Sequence, residues 1–413
     1  MSDISLIQKL GDFLKSYKNS RTYFIIFYFL VTVIYVIYYG VRDQVDFTAF
    51  HRAASLFLMD DNPYDRNYPF YFLNAPSALI FIFPLGLFEV QVASILFRCI
   101  NFVLLFFLVW KVKKDTHLEL SLIFSILILS TPIRTTFGSG LGGIFVAISI
   151  WYLISPYALR REPAKPLQEA FWALGVLSFK PYLFAGIFIL YLLLRRFKSL
   201  FCIFGVFAVV NIFLSVNKPL IFEWVDNMRV RSSGLASEEG ASSLVSIISR
   251  LGESSTLTAW IIHFAWPLYV IINSLVLRQL IKTSVPSLKA CYALIITMSL
   301  SLYVNHRDYV LIPIVALILL ASFQRLPAQN SLTLMLRCGL LTGSAIFQLV
   351  SSLFEPRRKS LFVLTLIISL PSFLSGYFWH KDLEKSFLIY DSMIVLTTLV
   401  IFWSSYKIQK SLD

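Results

Sequence analysis

VDFTAFHRAASLFLMDDNPYDRNYPFYFLNAPSALIFIFPL, residues 45–85, is the first long break in a chain otherwise built of apolar runs. It opens on Asp46 and continues as an amphipathic segment. It then passes through a polar knot, Asp60-Asp61-Asn62-Pro63-Tyr64-Asp65, and returns to an apolar run punctuated by Pro76 and Pro84. Phe47, Phe50, Ala54, Phe57 and Leu58 share one helical face, with Thr48, Arg52 and Ser55 turned away. Such a helix is too short and too polar to cross a bilayer and suits the headgroup layer. The run from Pro76 to Leu87 is also short for a crossing and reads as a second interfacial or half-buried helix. So many carboxylates beside membrane-length apolar helices mark an active-site loop, with the rest of the chain as its scaffold.

The composition sets that scaffold. The 413 residues are 57% hydrophobic and 14% charged, with a mean hydropathy of +0.74. Soluble domains are nearer one-quarter charged. Apolar runs long enough to cross a bilayer recur from Thr22 to Tyr406. The fold class is therefore all-α, a polytopic transmembrane bundle of about 11–13 spans forming one integral membrane domain. The net charge of +13 is not a nucleic-acid signature. Its basic residues lie in short runs at helix ends, at 111–114, 160–161, 195–198 and 357–359, as orientation signals do. Cys99, Cys202, Cys291 and Cys338 have neither metal-ligand nor disulfide spacing and read as packing residues.

Residues 1–21 form a cytoplasmic interfacial segment, with a first span at about 22–40. The lysines before that span keep the N-terminus inside. Residues 41–90 then form the first extracytoplasmic loop, and 217–256 the second. Further spans are expected near 91–110, 118–131, 144–158, 168–179, 182–194, 199–216, 257–277, 290–304 and 309–323. Three more follow, and the orientation of 330–413 stays open because Glu355 to Lys359 conflicts with the charge rule. A break is expected at Lys180-Pro181. On one membrane face this alternation gathers the 45–85 loop, Arg134 with the glycines after it, Lys180, the 217–256 loop and the cluster from Asn305 to Tyr309.

The chemistry these residues offer is specific. A carboxylate at Asp46 can receive a proton from a hydroxyl as its oxygen attacks a sugar. The same residue, with Asp43, also suits a helix cap and first turn. Lys180, His306 and Arg307 can balance the charge growing on a departing phosphate, although Lys180 can equally snorkel from a helix end and Asp308 can pair with Arg307. Arg134, Arg231 and Arg250 suit lipid headgroups or a phosphate. Asp60, Asp61 and Asp65 form turn chemistry more readily than a metal site, and no metal or other cofactor is expected. No glycine-rich phosphate loop follows a strand, so a sugar donor must arrive without a nucleotide, as a lipid-linked phosphosugar. A transporter or flippase for a lipid-linked sugar is the alternative, and a non-catalytic scaffold a further one. Paired sequence halves, which a transporter often shows, are not evident.

Asp46-Phe-x-x-Phe-x-x-Ala-Ala, then Asn62-Pro63-Tyr64-Asp65, Tyr71, Pro76 and Phe83-Pro84-Leu85, resembles the N-terminal signature of glycosyltransferase family 87, polytopic mannosyltransferase-like enzymes of the GT-C superfamily. Phe179-Lys180-Pro181, Ser243-Leu244 with Arg250, and His306 to Tyr309 resemble its later segments. Gly140-Leu141-Gly142-Gly143 and Asn74-Ala75-Pro76 depart from the family's usual Gly-Gln and Tyr-Pro-Pro. The resemblance implies an inverting transferase that moves a hexose, often mannose, from a polyprenyl-phosphate donor to a lipid or cell-surface glycan acceptor. The site would face outward from the bacterial cytoplasmic membrane. Asp46 is the implied base. Lys180, His306, Arg307 and Arg250 are then expected at the donor phosphate. Asp43, His51, Arg52, Tyr64, Asp65, Tyr71 and Arg134 are expected at the substrates.

Overall fold

A computed structural model describes residues 45–66, 72–118, 142–235, 286–300 and 310–323, with single helical positions at 120, 123, 124, 127, 133, 271, 274, 275 and 278. The regular structure of the described residues is entirely helical. The elements are α1 (Val45–Leu58), a broken segment α2 (Pro76–Leu87), α3 (Val90–Thr116), α4 (Gly143–Ala158), α5 (Pro166–Phe179), α6 (Pro181–Leu193), α7 (Phe197–Leu214), α8 (Leu220–Leu235), α9 (Pro286–Leu300) and α10 (Leu311–Phe323). The expected interfacial segment 1–21, the first span, Asp43 and the 330–413 region lie outside the described residues.

α3 and α7 are long and apolar enough to cross a membrane. Both turn many large apolar side chains outward, among them Ile95, Val103, Phe106 and Trp110 on α3 and Phe201, Val209 and Phe213 on α7. A face of that kind needs lipid against it. α3 outruns the expected 91–110 span, because Lys111 reaches Asp115 one turn on (3.0 Å) and keeps the basic end helical. α1 forms as expected and buries Phe47, Phe50, Ala53 and Ala54. That face packs on protein, against α2 and α3, and Leu58 in the last turn is exposed. Gly86 makes this packing possible: a Cβ there would stand 2.7 Å from the Ala54 carbonyl carbon.

α3, α4 and α6 end, and α5 and α7 begin, at one end of the bundle, and the helix ends meet in two polar layers. At one end Asp115 is buried and receives Lys111, Arg161 and the Trp151 indole N–H (2.9 Å). Beside it, buried Glu169 accepts from Arg196 (3.0 Å) and the Tyr157 hydroxyl (3.0 Å). The basic runs at 111–114, 160–161 and 195–198 therefore share one end, as the alternation requires. α4 and α6 both stop there in the same way. Arg160 (φ 53°) and Arg195 (φ 56°) take the left-handed conformation. The next residue's N–H then bonds back five positions, to Pro156 and Tyr191.

α9 starts near this end, where Lys289 feels the charge of Arg160. It packs on α10, with the Cys291 thiol directed at the Val315 carbonyl. Gly186 on α6 allows a close approach to α9. Its N–H donates to the Thr297 hydroxyl of α9 (2.9 Å), and a Cβ at this position would stand 1.9 Å from the Ala293 carbonyl oxygen.

Gly186→Ala must push α6 and α9 apart and is expected to cost about 1–3 kcal/mol or more. Gly205→Ala on α7 meets nothing within 4 Å and is expected to leave stability unchanged. Melting of the two variants in the same detergent, followed by monodisperse elution, checks the contrast.

Candidate active site

The opposite end carries the site. Val45 opens α1, so Asp46 stands in its first turn, where the exposed amides of the helix favour a carboxylate. Phe47, the next residue, packs on Phe97 of α3 (5.4 Å between centroids). Phe50, one turn on, meets Phe179 at the end of α5 (6.1 Å). Phe179 also touches Phe81 of α2 and Phe145 of α4, which touch each other (4.8 Å). Four elements thus converge on one aromatic cluster, and Lys180 follows it directly. Only 8% of Lys180 is exposed. Its backbone (φ −148°, ψ 69°) ends α5, and Pro181 opens the next helix, so the expected break is present. Gly142, at the start of α4, lets the Phe179 ring approach to 3.1 Å of where its Cβ would be.

The polar knot after α1 is a built turn. Asp60 is left-handed (φ 65°), and its N–H and that of Asp61 bond back to Phe57 and Leu56, closing the helix. The Asn62 side chain accepts from the Tyr64 N–H (2.9 Å), a local turn that asparagine favours. Elements distant in sequence hold this turn. Lys218 bridges Asp60 (2.7 Å) and the Asp61 carbonyl (3.0 Å). Arg66 reaches Asp226 and Asn227, and Asn227 donates to the Tyr64 carbonyl (3.0 Å). Trp224 donates to the Leu73 carbonyl (3.0 Å). The start of α8 is therefore a clamp on the first loop.

A second, deeper clamp fixes α2. Buried Asn211 of α7 accepts from the Ser77 N–H (2.8 Å), a donor the helix start leaves open. The Ser77 and Ser178 hydroxyls share a hydrogen bond (2.6 Å).

Of the expected substrate residues, His51 bonds the Phe88 carbonyl (2.8 Å), and Arg52 pairs with Asp65 (3.1 Å). Tyr64 is buried against Phe72 and donates to the Asn74 carbonyl (2.8 Å). In this structure those four residues shape the loop. Tyr71, Arg134, Arg250, His306 and Arg307 lie outside the described residues. Leu300 and Leu311, which flank His306 and Arg307 in sequence, end α9 and begin α10. Sequence reasoning passed over Lys218, Asn227, Asn211 and a buried arginine, Arg98, inside α3. An arginine within an apolar span was a legible signal for the last of these.

The described helices, two of them long and apolar enough to cross a membrane, carry buried polar groups at both ends. The family model of Glycosyltransferase family 87 matches residues 72–303, more than half of the sequence, and the chain belongs to that family. It is a glycosyltransferase of the GT-C type. Lys180 and Arg250 fall inside the matched region, while Asp46 precedes it and His306 and Arg307 follow it. Among solved structures the chain is similar to ArnT from Cupriavidus metallidurans bound to undecaprenyl phosphate. The identity is 12% and the TM-score 0.42, over 94% of this chain and 78% of that one. No curated protein matches.

Burial pushes the Tyr64 hydroxyl well above the ordinary tyrosine value. Above about pH 10 the unfolded chain loses this proton while the folded chain keeps it, so stability falls as pH rises. Tyr64→Phe is expected to flatten that alkaline loss while costing about 1 kcal/mol near neutrality. Melting of both proteins between about pH 8 and pH 11 tests this.

Proposed function

We propose that this glycosyltransferase moves a hexose, mannose in the first instance, from a polyprenyl-phosphate donor to a lipid or cell-surface glycan acceptor. The reaction inverts the anomeric centre at the extracytoplasmic face of a bacterial cytoplasmic membrane. One observation carries the reading. Phe50, one turn after Asp46, packs on Phe179, the residue directly before Lys180. An acidic residue one turn before that contact and a buried lysine directly after it supply the two charges this displacement needs.

Asp46 receives the proton of the acceptor hydroxyl as its oxygen bonds to the anomeric carbon. The bond from that carbon to the phosphate oxygen breaks on the opposite side, and the electron pair leaves with the carrier phosphate. Lys180, with His306, Arg307 and Arg250, offsets the charge that grows there. The acceptor proton needs a receiver because an unactivated hydroxyl is a weak nucleophile. Asp43, Tyr71 and Arg134 complete the substrate surface. His51, Arg52, Tyr64 and Asp65 serve it by holding the loop in shape.

Asp46→Asn, inserted normally, is expected to lower transfer from a polyprenyl-phosphate sugar by about 10²- to 10⁴-fold. Asp46→Glu should retain part of the activity. Undiminished transfer by Asp46→Asn excludes this base. The product's anomeric configuration, read by NMR, checks inversion independently.

A further inference from the structure

Lys180 stands at a helix break, and a helix end leaves its last carbonyl oxygens without helical partners. Pro181 has no N–H to return to the last turn of α5. The Ser178 carbonyl, two residues before the lysine, is satisfied from another part of the chain. The Ala75 N–H donates to it (3.2 Å). The Ser77 and Ser178 hydroxyls share a second hydrogen bond (2.6 Å). The last turn of α5 is thus joined twice to the start of α2, once through backbone and once through side chains.

Ser77 is held in turn. Its N–H donates to Asn211 Oδ1 (2.8 Å), and Asn211 Nδ2 donates to the Phe207 carbonyl of its own helix (2.7 Å). Both ends of that amide are used, so only one orientation satisfies it. Ala75, Ser77 and Ser178 are fully buried and Asn211 nearly so. Water cannot replace a bond lost among them. Just upstream, the Leu73 carbonyl accepts from Trp224 (3.0 Å) and the Asn74 carbonyl from Tyr64 (2.8 Å). Residues 73–77 therefore tie the polar knot, α8, α7 and α5 together, and they meet α5 two residues before Lys180. Apolar packing is non-directional, whereas a satisfied buried polar network specifies one arrangement.

We infer that Asn211, Ser77 and Ser178 are positioning residues for Lys180. They set the height and rotation of the last turn of α5, and with it the place at which the lysine meets the donor phosphate. This inference rests on the proposed role of Lys180 at that phosphate. None of the three is assigned contact with the reacting atoms, and they act through the backbone that carries the lysine. A misplacement of about 1 Å is enough to weaken a contact of this kind severely.

The test is a double-mutant cycle read by binding. The full chain in nanodiscs is titrated with polyprenyl monophosphate and with the matching uncharged polyprenol. Lys180→Met is expected to lose about tenfold or more of the phosphate affinity, the measure of one charged hydrogen bond. Ser178→Ala should lose several-fold in the wild-type background and nothing further in Lys180→Met, where no charge is left to place. Asn211→Leu should behave in the same way. Polyprenol binding should stay constant throughout.

An equal loss in both backgrounds marks a general structural role and overturns the inference, as does unchanged phosphate affinity in Ser178→Ala. Where Ser178→Ala does not fold, Asn211→Leu decides by the same criteria. Unchanged phosphate binding in Lys180→Met removes the group to be positioned and also overturns it. Failure of Asp46→Asn to alter transfer, with the cycle intact, would strike the proposed base and leave the positioning of Lys180 standing.

Discussion

The edge-to-face contact of Phe50 on Phe179 is the constraint on which the loop end depends. α1 alone is one amphipathic helix of fourteen residues, too short to hold its own position. Phe50 gives it a fixed neighbour in a membrane helix, and the neighbour is the last residue before the break at Lys180. Phe81 and Phe145 complete the cluster, so α1, α2, α4 and α5 share one packing unit. Moving any of these rings moves the first turn of α1 relative to the buried lysine. The polar clamps from Lys218, Asn227 and Asn211 act further out and set the loop's shape around that unit.

The far end uses a different principle. Asp115 and Glu169 are each buried at 1% exposure, yet each meets cations and neutral donors together. Removing one partner of such a group leaves an uncompensated charge in low dielectric, which costs more than the pair contributes. The positive runs at the helix ends therefore have two roles. They mark one end of the bundle, and Arg161 and Arg196 also neutralise carboxylates inside it. That second role explains why α3 stays helical through its lysines. It also lets α4 and α6 end on left-handed arginines, whose charge suits a helix C-terminus.

Much of this architecture was legible in the sequence. The amphipathic spacing of Phe47, Phe50 and Ala54 gave α1, and the apolar runs gave α3 to α7, α9 and α10 to within a few residues. Lysine before proline gave the break at Lys180. The turn at Asp60 to Asp65 followed from its residue types. What could not be read were long-range partners. Nothing local ties Ser77 to Asn211, or Asp60 to Lys218, because hydrogen bonds over such separations depend on how the helices pack. For the same reason Tyr64 read as an aromatic at the substrates, while its ring is in the loop's core and its hydroxyl meets the Asn74 carbonyl. Arg98 was legible in principle, since a charge inside an apolar run needs a reason.

Helix lengths explain why the loop is built into the bundle. α4, α5 and α6 have sixteen, fourteen and thirteen residues by their bounds, about 20–24 Å each as α-helix. A hydrocarbon core is about 30 Å thick, so these helices fall short of it by several ångströms. All three are anchored at the far end by the Asp115 and Glu169 layers. The shortfall therefore lies at the end bearing Gly142 and Lys180, which is recessed beneath the surface that α3 and α7 reach. α1 and α2 fill the recess, which is why their apolar faces pack on protein, with Gly86 and Ala54 allowing close contact. In the proposed mechanism, the low-dielectric surroundings of Lys180, 8% exposed at that end, strengthen its pull on a departing phosphate.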